Sequence, residues 1–223
     1  LEKYRGMIIA DVVGLGKTFV AAGIAKLLQM TKASDPLVII PPVLEKKWRN
    51  IFKAYHIKAE FLSRGQLTTP SDENPWLVEN YEYEFHDLVI VDESHHFRRH
   101  DSNQYKNLKK YMDANEDRKI LLLTATPYGI GYSDLFNQIK LFHKTDITKI
   151  PMGISSLKAF QKGVEPPAKI YRMQDLLKHI MIRRTRKYIL DTYGIKDKKT
   201  NRLYILGKEN EKIFFPDREL ENA

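Results

Sequence analysis

A chain of 223 residues, 43% hydrophobic and 29% charged, has the balance of a soluble globular protein and room for one large domain or two small ones. No stretch approaches the roughly 20 consecutive apolar residues of a membrane span, and the lack of cysteine excludes disulfides, thiol nucleophiles and cysteine-ligated metals, which fits a reducing cytoplasm. Lysine and arginine outnumber the acids by 37 to 28, an excess that favours a polyanionic partner, with a solvated basic surface as the plain alternative.

The chain opens Leu-Glu-Lys-Tyr-Arg, which is no signal peptide, and without an initiator methionine it is expected to continue upstream. Met7 to Ala10 reads as a strand that feeds directly into a glycine-containing loop. A helix is expected from Lys17 to Met30, with Val20, Ile24, Leu27 and Leu28 on one broad face. Leu37 to Ile40 is a short strand stopped by Pro41 and Pro42, followed by a helix over Val43 to Tyr55. Lys58 to Ser63 reads as a further strand, and Thr68 to Asn80 as loop.

Leu88 to Val91 and Ile120 to Leu123 read as buried strands. Between them Asp101 or Ser102 caps a helix with Tyr105, Leu108 and Met112 on one face. Ser133 is expected to cap the next, with Leu135, Ile139 and Phe142 inward. Beyond Pro151, helices are expected at Ser155 to Lys162 and Met173 to Ile182, broken by Pro166-Pro167. A charged stretch, Lys196 to Lys199, leads to a hairpin with arms Arg202 to Leu206 and Lys212 to Phe215 around Gly207 to Asn210. Apolar runs alternating with helical patterns are the signature of a parallel sheet covered on both faces.

Two constellations carry chemistry. Asp11-Val-Val-Gly14-Leu15-Gly16-Lys17-Thr18 follows a strand and opens a helix, the context a phosphate loop requires. Gly14 and Gly16 let the backbone curl until its N–H groups face a phosphate, and the helix N-terminus adds partial positive charge. Lys17 can reach the β- and γ-phosphates, and Thr18 can place its hydroxyl on magnesium. Asp11 stands where the plainest form of the motif has glycine.

The second constellation, Asp92-Glu93, ends the Leu88 to Val91 strand, where open α/β sheets bind ligands. Asp92 is assigned the magnesium and Glu93 the attacking water. Alone, an acidic pair before a helix means little, since helix N-termini favour acids. Coupled to the phosphate loop, it makes the second half of an ATP-hydrolysing site.

Asp92-Glu93-Ser94-His95 resembles the DEAH-type second motif of superfamily-two helicases and translocases, and its surroundings resemble the first lobe of their Swi/Snf-like branch. Asp11 to Thr18 is similar to that branch's DExGLGKT motif, with Val12 where an acid is usual. Leu37 to Trp48 resembles its motif Ia, Leu88 to Arg99 its extended motif II, Leu122 to Pro127 its motif III, and Ile182 to Arg186 the Arg-Arg-x-Lys block that closes the lobe. The resemblance implies a three-layer α/β RecA-like P-loop NTPase lobe with a mainly parallel sheet flanked by helices. It further implies ATP and magnesium as cofactors and translocation along nucleic acid, most often duplex DNA.

Under that resemblance His95, Thr124, Ala125 and Thr126 would couple the nucleotide to the nucleic acid and to the other lobe, and Pro41 and Pro42 would meet the nucleic-acid backbone. The plain readings stay beside these: a strand stop at Pro41-Pro42, a hydroxyl-capped turn at Thr124 to Thr126, a core aromatic at Trp48, and a solvated helix end at Arg183, Arg184 and Arg186.

The family's last motif, Gln-x-x-Gly-Arg-x-x-Arg, carries an arginine finger on a second RecA-like lobe, and the chain does not contain it. The upstream adenine-reading glutamine is also absent. Residues 1–150 are therefore expected to form the ATP-binding lobe, 151–195 a helical extension, and 196–223 a hairpin and linker, with Phe215-Pro216-Asp217-Arg218 leading toward a second lobe. Such a fragment is expected to be nearly inactive alone. The rival functions are a strand-separating helicase or motor subunit of a restriction or phage-defence system, a nucleotide-binding scaffold, and a simple P-loop kinase. The kinase leaves Asp92 to His95 and Thr124 to Thr126 unexplained.

Overall fold

The computed structural model describes residues 1–32, 34–67, 77–127, 131–164, 168, 170–207 and 210–215. The chain enters through β1 (Gly6–Ile9) and α1 (Lys17–Lys32), then β2 (Leu37–Ile40), a 3-10 turn at Pro42–Leu44 and α2 (Glu45–Ala54). It continues through β3 (Glu60–Ser63), β4 (Leu88–Val91), α3 (Asn103–Ala114), β5 (Lys119–Leu123) and α4 (Tyr132–Lys140). Then come α5 (Leu157–Val164), α6 (Met173–Ile180) and β6 (Met181–Ile182).

These strands form one six-stranded sheet in the order β3-β2-β4-β5-β1-β6, with every pairing parallel. Parallel strands need a long crossover between them, and the helices supply it on both faces. Alternation along each strand sorts the core into two layers. Ile9, Val38, Ile40, Ile90 and Leu121 face Ala21, Ala22 and Ala25 of α1 and Trp48 and Phe52 of α2. Ile8, Ile39, Val89, Val91 and Leu122 face Tyr105, Leu108 and Met112 of α3, Leu135 and Ile139 of α4, and Phe160 and Leu176 beyond them. This three-layer arrangement is the α/β RecA-like fold that the resemblance implied.

Several local expectations are corrected. The sheet-facing surface of α1 consists of alanines, which let the helix sit close to the strands; Val20, Ile24 and Leu28 pack at its margin, while Leu27 is exposed. Ser133 lies inside α4, whose N-cap position is Gly131. Ser102 does cap α3, its side chain accepting from the Tyr105 N–H at 3.2 Å.

The helix expected over Met173 to Ile182 stops at Ile180, because Met181 and Ile182 pair with Ile8 and Ile9 of β1 and extend the sheet. Beyond it, α7 (Arg186–Tyr193) leads into a small antiparallel sheet of β7 (Ile195–Lys196), β8 (Leu203–Leu206) and β9 (Lys212–Ile213). The expected hairpin is the β8–β9 pair; β7 and α7 were not anticipated. Of the loop expected over Thr68 to Asn80, residues 68–76 lie outside the described residues and Leu77–Glu79 forms a 3-10 turn; Pro166-Pro167, Lys208-Glu209 and Pro216 to Arg218 also lie outside the described residues.

Gly6 opens β1 directly beneath the Phe142 ring, where a methyl group on residue 6 would overlap it. Gly6→Ala is therefore expected to cost about 1–3 kcal/mol through overpacking. Phe142→Leu in the same chain should recover part of the loss, so that the two changes couple in a double-mutant cycle followed by urea unfolding.

Candidate functional site

The sheet order places the ends of β1, β5 and β4 side by side, and from them run the phosphate loop, Thr124 to Thr126, and Asp92-Glu93. Adjacent strands stand about 4.8 Å apart, so the loop and the acids are separated by roughly 10 Å, with the Thr124 turn between them. Backbone bonds continue the ladder beyond the strands: Thr124 N–H donates to the Ile9 carbonyl at 3.1 Å, and Asp92 N–H to the Ile39 carbonyl at 2.9 Å.

The phosphate loop has the shape its glycines permit. Gly14 and Gly16 hold φ values of +88° and +77°, a region costly for residues with a Cβ. Leu15 N–H donates back to the Val12 carbonyl at 3.3 Å, and α1 begins at Lys17. The Lys17 ammonium donates to the Asp11 carbonyl at 2.8 Å. Asp11 itself is fully buried and bound by Arg184, whose backbone N–H donates to Oδ1 at 2.7 Å and whose guanidinium holds Oδ2, Nε at 2.9 Å and Nη2 also in contact. The reading of Arg184 as a solvated helix end is thus replaced: β6 carries it alongside the loop, and a buried carboxylate requires a partner.

Asp92 is buried too, but its partners differ in kind. The Trp48 indole N–H donates to Oδ2 at 2.8 Å, and the Glu93 backbone N–H donates to Oδ1 at 2.9 Å. Both donors are neutral. A carboxylate has about four acceptor positions, so each oxygen keeps capacity for a hydrated cation. Trp48 is a core aromatic and, in the same pose, the holder of the acid. The one sequence signal for this was that a buried indole N–H must find an acceptor.

Glu93 adopts a left-handed backbone, φ 51° and ψ 47°, rare for a residue with a Cβ and of the kind that clusters at functional sites. That bend turns the chain into the 3-10 turn Ser94–Phe97 and sets the Glu93 carboxylate 3.1 Å from His95 Nδ1. The His95 and His96 ring centroids lie 4.2 Å apart, with the planes tilted by 39°. Burial lowers the pKa of His95, opposed by the Glu93 charge and supported by Arg98 and Arg64. His96 falls further, to about 4, through lost hydration and then through Arg64, His95 and Arg98.

Thr124 is buried, and its Oγ1 accepts from the Thr126 N–H at 3.1 Å, so the local hydroxyl-capped turn is present as the plain reading had it. Ala125 sits between them half-buried and Thr126 is exposed. Pro41 and Pro42 leave the same edge from β2, with Pro42 and Val43 exposed to solvent.

Sequence reading missed Gln138. Buried on α4, it accepts from the Ser94 hydroxyl at 2.9 Å, and its amide donates to the Pro127 carbonyl at 2.5 Å. Its neighbour Asn137 donates to the Arg98 carbonyl at 2.8 Å. The acidic turn and the threonine turn are therefore joined through one neutral amide. No pattern in the sequence marks it, because a glutamine on a helix is ordinarily solvated.

A glycine-shaped loop with a lysine ahead of a helix, and a buried acid held by neutral donors across the same edge of a parallel sheet, have the arrangement of a RecA-like lobe. The chain belongs to the SNF2-related domain family, whose model matches residues 77–220. That match begins downstream of the phosphate loop, so the loop stands on its own geometry.

Among relatives, the chain is 27% identical over 183 residues to the RNA polymerase-associated protein RapA of Pseudomonas savastanoi pv. phaseolicola, covering 71% of this chain and 18% of the relative. Against RapA of Vibrio cholerae serotype O1 it is 27% identical over 161 residues, 60% and 16% of the two chains. The chain thus spans less than a fifth of these relatives' length.

Among solved structures, the Sulfolobus solfataricus SWI2/SNF2 ATPase core in complex with dsDNA superposes with a TM-score of 0.57 at 17% identity, over 81% of this chain and 40% of that one. The Pyrococcus furiosus Hef helicase domain superposes with a TM-score of 0.50 at 17% identity, over 62% and 33%. These structural likenesses establish the fold.

Two outcomes follow from the geometry. Gln138→Leu leaves the Ser94 hydroxyl and the Pro127 carbonyl without their partner, and should destabilise the protein by about 2 kcal/mol or more in chemical denaturation. The histidines supply a pH dependence: because their folded pKa lies below the unfolded value, the unfolded chain binds more protons as pH falls from 6.5 toward about 4, and stability drops across that window. His96→Gln is expected to flatten this acid limb when unfolding is measured at a series of pH values.

Proposed function

We propose that the chain binds ATP with magnesium and forms one wall of a nucleic-acid-stimulated ATPase that translocates on duplex DNA when paired with a second RecA-like lobe. The observation that supports this most is the placement of the Lys17 loop and the neutrally held Asp92 on one edge of the sheet, with Glu93 beside Asp92. At coarse level the family supports ATP hydrolysis.

The roles of the residues follow from their chemistry. The backbone around Gly14, Leu15 and Gly16 would receive the phosphates, and Lys17 would exchange the Asp11 carbonyl for them. Thr18 and Asp92 would hold magnesium, which would supply positive charge to offset that of the phosphates. Glu93 would orient the attacking water and take its proton. His95, Thr124, Ala125 and Thr126 would pass the state of the site to the second lobe, and Gln138 ties their two turns together.

For nucleic acid, the supporting observations are the net charge of +9, the exposed Pro42 and Val43 at the same edge, and the dsDNA bound to the Sulfolobus core. Among the described residues no helix is long and apolar enough to cross a membrane. Residues 1–150 would be the nucleotide lobe, 151–195 its closing extension and 196–223 the path to the second lobe.

The test is ATP binding and DNA-stimulated hydrolysis in the intact protein. Lys17→Ala should abolish nucleotide binding. Glu93→Gln should retain binding and lose turnover by about 10³-fold, on the scale of other residues that act in the transition state. Unchanged activity in both variants would leave the nucleotide-binding scaffold as the better reading.

A further inference from the structure

Asp11 poses a question that the hydrolytic reading does not answer. The plainest phosphate loop has glycine at its first position, the motif that this loop resembles has aspartate there, and here that carboxylate is fully buried. Its countercharge comes from 173 residues away, on the turn after β6. The contact is made twice over. The Arg184 backbone N–H and guanidinium hold the Asp11 carboxylate, while the Arg184 carbonyl accepts from the Val12 N–H at 3.3 Å. One residue therefore brackets the entry of the loop from both sides. Two residues earlier on each segment the same ladder continues, Ala10 N–H donating to the Ile182 carbonyl at 2.7 Å.

Two features connect this bracket to events elsewhere. On the nucleotide side, the Asp11 carbonyl accepts from Lys17, the cation that must leave when a phosphate arrives. On the other side, Thr185 follows Arg184 and caps α7, its Oγ1 accepting from the Tyr188 N–H at 3.1 Å. Lys17, Asp11, Arg184 and the start of α7 thus form a continuous chain of contacts.

We propose that Arg184 is a positioning residue of the nucleotide site: by holding Asp11 it sets the resting path of the phosphate loop and ties nucleotide occupancy to residues 183–193. It touches neither the nucleotide nor the attacking water. The inference rests on the nucleotide reading above. Coupling of this kind is reciprocal: if Arg184 biases the loop toward the form that binds phosphate, bound nucleotide must tighten the hold on Arg184 and α7.

The experiment titrates the intact protein with magnesium and a fluorescent ATP analogue, and follows amide exchange of residues 183–193 with and without nucleotide. Arg184→Met is expected to weaken binding about tenfold and to raise KM for ATP by a similar factor, while kcat changes less than about threefold. Arg184→Lys keeps the charge and should retain most of the affinity. Asp11→Asn removes the buried charge, so Arg184→Met added to it should change affinity less than about threefold.

Nucleotide should slow exchange at the start of α7 in the parent and in Arg184→Lys, and leave it unchanged in Arg184→Met. If Arg184→Met does not fold, the Arg184→Lys and double-variant comparisons carry the same decision. An Arg184→Met protein that is less stable but binds nucleotide with parental affinity, and still transmits it to α7, overturns the proposal. So does equal loss of affinity on adding Arg184→Met with or without Asp11. A parent protein that binds no nucleotide overturns the reading of the site itself, and this inference with it.

Discussion

The parallel pairing of β1 with β5, and of β5 with β4, is the constraint on which the site depends. Parallel strands present all their carboxyl ends at one edge, and helices covering both faces leave that edge as the place where polar loops can emerge together. The pairings of Ile9 with Leu123 and of Val91 with Leu122 bring three functional loops to a common level. A register slip of one residue would exchange the two buried layers, set each strand's side chains against the wrong helices and carry its loop out of level with the others. The burial that stabilises the sheet is therefore the same burial that aligns the loops.

Two acids at this edge are withdrawn from water and handled in opposite ways. Asp11 meets a guanidinium, so its charge is neutralised within the protein and its role is to hold chain to chain. Asp92 meets an indole N–H and a backbone N–H, so among the described residues it is fixed in place without a countercharge. A buried carboxylate fixed by neutral donors is prepared for a cation from outside. The contrast separates an anchoring acid from a metal-binding one on physical grounds, although both stand just beyond strand ends and look alike in a sequence.

The segment after Pro151 changes meaning in the folded lobe. Its helix α6 ends where Met181 and Ile182 find the free edge of β1, so the distal part of the chain completes the sheet around the phosphate loop. Gln138 does related work inside the helical layer, where one amide satisfies a hydroxyl from the acidic turn and a carbonyl from the threonine turn. The first joins distant parts of the chain through backbone pairing, and the second through a side chain that local pattern would leave in solvent.

What the sequence by itself determined was local and periodic. The four-residue runs Leu37 to Ile40 and Leu88 to Val91 appear as strands with the expected bounds, since short β-branched runs between turn residues have few other ways to be buried. Gly14, Gly16, Lys17, Asp92 and Glu93 were legible because a phosphate loop and a strand-end acid pair require particular residues at fixed spacing. Tertiary structure alone decided which helix face met the sheet, since α1 packs through alanines too small to register in a hydrophobic pattern. It alone turned Met181-Ile182 from helix into strand, because an open β1 edge outweighs local preference. And it alone brought Trp48 to Asp92 and Arg184 to Asp11: the partner of a buried charge is chosen by the folded chain, from residues that carry no local mark of the meeting.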